Sequence, residues 1–142
     1  MTVPEGQQAW RPGARPEQRD AAGKLVTRLS IFATAVATLL FGMHWGFRHL
    51  GDVFTAKALS GTSNDHRTYF EQIYQATLWG IQCSLAGSLA AAFAVGLAVD
   101  GVRRASPASQ FVARCALIAA IVVALGYIAV CGFQIATEMI TE

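Results

Sequence analysis

His44, Arg48 and His49 are the residues of this chain whose types come nearest to carrying chemistry. An imidazole set in an apolar helix can ligate a haem iron or a chlorophyll pigment, or relay a proton, and a nearby guanidinium can steady a propionate or a polar headgroup. His44 sits between Met43 and Trp45 in a stretch free of Asp, Glu, Lys and Arg. A hydrogen-bonded histidine at a membrane interface, with no ligand, is the plainer reading of the same residue. A haem held by two histidines cannot form within the apolar stretches, because the later ones contain none; Met139 is the alternative axial ligand at a similar level. His49 and His66, with Asp52 and Asp65, match no zinc-site spacing. The sequence also lacks a phosphate-cradling glycine loop, a metalloprotease pattern and a Cys-x-x-Cys pair. No enzyme activity is expected.

The elements that must position these residues follow from the charge distribution. The 142 residues are 54% hydrophobic and 14% charged, whereas a soluble domain carries roughly 25% charge. No charged residue lies in 29–47, 72–99 or 115–137, stretches of 19, 28 and 23 residues. About 20 apolar residues cross a bilayer core as a helix. The expected fold is therefore all-α: an integral membrane protein with three transmembrane helices, at about residues 25–47, 72–99 and 113–137. A soluble enzyme, a disordered chain and a nucleic-acid binder are excluded on the same ground. The absence of a charged group within the spans argues against ion-coupled transport.

Placement of the basic residues gives an orientation. Arg11, Arg15, Arg19, Lys24 and Arg28 precede the first span, and Arg103, Arg104 and Arg114 fall between the second and third. Only Arg48, Lys57 and Arg67 fall on the opposite side. Lys and Arg accumulate in short cytoplasmic loops, so the N-terminus is expected in the cytoplasm and the C-terminus outside. The first span reads as a signal anchor, being too long for a cleavable h-region. Residues 1–24, with Pro4, Pro12 and Pro16, read as a flexible cytoplasmic arm. Residues 48–71 read as an outer loop holding a short interfacial helix around Val53–Leu59, with Asn64 or Asp65 capping the helix that follows. Gly101, Ser106 and Pro107 mark a tight inner turn, so the second and third helices should form a hairpin.

Small residues recur every four positions along the spans. Ser30, Thr34, Thr38, Gly42 and Gly46 form one stripe, and Gly80, Ser84, Ser88, Ala92 and Gly96 another. Ala116, Ala120 and Ala124 continue the pattern in the third span. In lipid, helices associate through close backbone approach and interhelical hydrogen bonds, so these stripes are the expected packing faces, within the chain or against other subunits. Gln75 and Gln82 share one helix face, and with Gln134 are expected as interhelical glue or as the lining of a quinone or lipid pocket. Cys83, Cys115 and Cys131 are expected as buried packing thiols.

The run His44-Trp45-Gly46-Phe47-Arg48-His49-Leu50-Gly51-Asp52 resembles a motif of the membrane-anchor cytochrome b subunits of succinate dehydrogenase. Gly46, Arg48, His49 and Leu50 match the family's Gly-Ile-Arg-His-Leu run. The family's haem-ligating histidine stands four residues before the glycine, where this chain has Gly42. Its motif lies on the second span, and here it ends the first. The resemblance implies haem b or a quinone as cofactor and a place in electron transport. Three functions are thus expected. The first is a non-catalytic accessory subunit of a multi-subunit bacterial inner-membrane complex, respiratory or photosynthetic, whose partners are other membrane subunits and lipids. The second is a haem- or quinone-binding anchor using His44, Arg48 and His49. The third is a homo-oligomeric pore, for which the spans offer little polar lining.

Overall fold

The computed structural model describes residues 16–60 and 66–141, with side chains described over 20–60 and 68–133. Every element in it is helical: α1 (Pro16–Ser60), α2 (His66–Arg104) and α3 (Gln110–Thr141). All three are long and apolar enough to cross a membrane. The expected capping by Asn64 or Asp65, the arm up to residue 15, and the side chains of His66, Gln134 and Met139 lie outside the described residues.

Gly101 lies inside α2 and not in the inner turn expected for it, and both ends of α1 also differ from the sequence reading. Helix α1 begins at Pro16, so residues 16–24 are helical and not part of an arm. Proline suits a first helical position, where its missing N–H has no partner to lose. More consequentially, α1 runs on through 48–60 as one 45-residue helix, about 67 Å at 1.5 Å per residue. The helical spacing around Val53–Leu59 was legible, but it belongs to a continuation and not to a separate interfacial helix. Nothing in Arg48–Ser60 stops a helix: there is no proline, and Gly51 alone costs only about 1 kcal/mol.

At the opposite end the connection is the five residues 105–109, of which the last four form a turn. The Ser109 N–H donates to Ser106 O at 2.9 Å, and Ser109 O accepts from Ala113 N–H at 3.1 Å, which starts α3. Pro107 occupies the second position of this turn, where its fixed φ is preferred. Ser106 lies beside Asp20 and holds its carboxyl below the usual carboxylate range, which places the start of α1 next to the turn. Helices α2 and α3 form the expected hairpin, but the most extensive packing is between α1 and α2.

That packing follows a period of seven. On α1 the inward line is Gly23, Ser30, Ala37 and His44, extended by half-buried Gly51 and buried Ala58. On α2 it is Gly80, Gly87, Ala94 and Gly101; on α3, Ala113, Ala120 and Tyr127. At about 100° per residue, a seven-residue step returns to within about 20° of its start, while a four-residue step overshoots by about 40°. Four-residue stripes therefore peel away from the interface as they climb. Ser30 is fully buried, Thr34 half-buried, and Thr38, Gly42 and Gly46 are exposed. Gly80 is buried, Ser84 and Ser88 half-buried, and Ala92 and Gly96 exposed. The expected stripes hold as internal packing faces only over their first members.

Because the inward residues are so small, the helices approach to backbone contact. A Cβ on Gly23 would come within 2.9 Å of Arg104 O, and one on Gly101 within 2.9 Å of Thr27 Oγ1. Ala94, Ala98 and Ala120 form one buried cluster, and Ala37, Ala91 and Tyr127 another.

Candidate functional site

Among the described residues, three side-chain hydrogen bonds cross between helices, and each ends on a backbone carbonyl. Ser30 Oγ donates to Ala94 O at 3.0 Å. Tyr127 Oη donates to Ala37 O at 2.7 Å. His44 Nδ1–H donates to Gly80 O at 3.0 Å, since a carbonyl can only accept. Ser30, Ala37 and His44 are seven residues apart along α1, so the bonds stand about 10 Å apart as rungs. Across the interface, Ala94 and Gly80 keep the same spacing on α2 in the opposite direction. Gly87 falls midway, where an added Cβ would overlap the Tyr127 hydroxyl. The heptad spacing and the rungs are one register, which fixes how α1, α2 and α3 slide against one another.

Each rung has a local cause. Serine and histidine are short enough to sit on a small-residue line without separating the backbones. Tyr127 reaches from α3 because Gly87 leaves room for its ring tip, and Phe41 holds the ring edge-on at 5.1 Å. A phenol inside an apolar helix needs an acceptor for its proton, and Ala37 O supplies it. Thr27, Thr34 and Ser88 instead donate to carbonyls of their own helices. No buried side-chain polar atom among the described residues lacks a partner.

His44 is 5% exposed. With Nδ1–H on Gly80 O, the neutral ring carries its basic lone pair on Nε2. Metal-ligating histidines are oriented by the same kind of carbonyl bond, so this geometry serves a structural rung and an axial ligand alike. His44 and Arg48 are brought together: both line a cleft of about 360 Å³ between α1 and α2, with Asp52, Thr55 and Thr77 around it. The Arg48 guanidinium also lies 5.9 Å over the Trp45 ring. His49 is exposed and lines neither this cleft nor the next, so the third sequence candidate stands apart. Among the described residues no group of three or more His, Cys, Asp or Glu could hold a metal ion.

A second, apolar cleft of about 570 Å³ opens on the other side of the α1–α2 contact, walled by Phe47, Leu50, Phe54 and Trp79. Phe47 and Trp79 stack at 6.5 Å. Gln75 lines this cleft, while Gln82 lines neither. Both amides are exposed, so they do not act as glue within the chain. The reason is angular: Gln82 lies about 200° around α2 from the inward Gly80. Cys83 is buried as expected, but Cys115 is exposed and Cys131 half-buried. Ala116 and Ala120 are buried, and Ala124 packs half-buried against the Tyr127 cluster.

Sequence reasoning missed Gly23, Gly87, Gly101 and Tyr127. The signal was the seven-residue recurrence of the smallest side chains, which a four-residue count hides. Tyr127, a lone phenol in the most apolar helix, was the other clue.

These features define an all-helical chain with three helices fit to cross a membrane, held in register by small residues and three hydrogen bonds. No protein-family model, curated protein or solved structure matches it.

Proposed function

We propose that this chain is a non-catalytic accessory subunit of a multi-subunit membrane complex. The observation that supports it is the use made of the buried polar groups. Thr27, Ser30 and His44, the buried polar side chains among the described residues, all bond to helix carbonyls, and those of Ser30 and His44 cross to α2 and hold the two helices together. Meanwhile Thr38, Gly42 and Gly46 face outward, and a Cβ on either glycine would meet nothing within 4 Å. Small residues on an outward face of a membrane helix permit close approach by a foreign helix.

In this reading the three helices are inserted, with the N-terminus cytoplasmic and the C-terminus outside, as the basic residues suggest. The setting proposed is a respiratory or photosynthetic complex of a bacterial inner membrane, on the resemblance of the His44–Asp52 run. Gly42→Ile adds bulk where the chain itself has open space. It should leave the isolated protein folded and abolish co-purification of partner subunits. Retained partners would overturn the role of that face.

A second reading is favoured by one observation, the cleft that joins buried His44 to Arg48. There His44 Nε2 would ligate haem, or the pair would hold a quinone headgroup. A reduced-minus-oxidised spectrum of the protein from native membranes decides the haem form: a band lost in His44→Ala supports it, and no band removes it.

A further inference from the structure

We propose that a second copy of this chain covers the α2 face that carries Gln82, forming a parallel dimer with the two Gln82 amides paired. The proposal rests on the reading that the chain is membrane-inserted and docks through its helix faces. Gln82 is exposed, and no hydrogen bond joins its amide to any described residue. A primary amide left unpaired in hydrocarbon is costly.

The depth of Gln82 prevents an easy escape to water. In the register set by His44 with Gly80, Gln82 lies level with Gly42 and Arg48 level with Ala76. Gln82 is therefore six residues, about 9 Å, inside the nearest charge at that end of the helix pair. Lysine and arginine snorkel on long stems; glutamine has only two methylenes.

Copies of one membrane protein insert with the same orientation. A two-fold axis along the membrane normal then brings each residue of a shared face opposite its own counterpart at equal depth. The glutamine amide is suited to such self-pairing, because its NH2 donates while its carbonyl accepts. Gln75, Gln82, Leu89 and Gly96 recur every seven residues on this exposed face, the period of a parallel left-handed helix pair. A Cβ on Gly96 would meet nothing within 4 Å, so the backbones can also approach at that level. Gln75 adds a second amide one heptad above Gln82.

Single-molecule photobleaching of the full-length chain in liposomes, over a range of protein-to-lipid ratios, tests the dimer. The wild type should dimerise. Gln82→Leu should raise the dimer dissociation constant about three- to thirtyfold, the range expected for one interhelical polar contact. Gln82→Asn should retain much of the affinity. Leucine is at home in lipid, so helical circular dichroism should be unchanged in Gln82→Leu. A wild type that stays monomeric at every ratio, or a Gln82→Leu dimer as tight as wild type, overturns the proposal. A native particle holding one copy of this chain beside other subunits would overturn the dimer and leave the accessory role standing. A lone native monomer would overturn both.

Discussion

Tyr127, Gly87 and Gly42 carry the sharpest consequences at the scale of single residues. Tyr127→Phe keeps the edge contact with Phe41 and removes only the proton given to Ala37 O. It should cost about 0.6–2 kcal/mol, read from reversible unfolding in mixed micelles. Gly87→Ala should cost about 1–3 kcal/mol, because its Cβ overlaps the hydroxyl end of that ring and something must shift. Gly42→Ala, with open space around its Cβ, should stay within about 0.5 kcal/mol of wild type. Equal losses at Gly87 and Gly42 would mean that the heptad line does not set the packing. At this scale the sequence was legible in part. His44 stood out as the one histidine in a charge-free span, and the structure buries it. Its partner, Gly80 O, was not legible, because a backbone acceptor has no signature in residue types. His49 misled for the converse reason: adjacency in a motif says nothing about sharing a helix face.

At the scale of elements, charge gaps and apolar length located all three helices, since a bilayer-length run without charge has few other uses. Their ends were harder to read. The stretch Arg48–Ser60 is polar enough to resemble a loop, yet it contains no helix breaker, and α1 continues through it. The small-residue stripes were seen at the wrong period. Four residues make slightly more than one turn, so the pattern looks right over two steps and fails by the fourth. The continuous helix has a direct consequence. Single cysteines placed along 55–59 should react unevenly with a water-soluble maleimide, with positions 55, 56, 57 and 59 labelled and position 58 protected. Residue 58 is 9% exposed and residue 59 is 85% exposed. Uniform labelling would indicate a loop and contradict the continuation.

For the whole molecule, the 14% charge was the most informative quantity in the sequence, because its placement located the three long apolar helices. What composition could not reveal is that the buried polar groups serve the interior. Three helices bonded carbonyl to side chain leave wide apolar flanks and the Gln82 face exposed. On the proposed function, protein covers part of them in a non-catalytic assembly. Native mass spectrometry of the chain, released from its own membrane in mild detergent, measures this most directly. The expected particle is far heavier than the 15.1 kDa chain and contains other subunits. A lone 15.1 kDa monomer would contradict the proposed function.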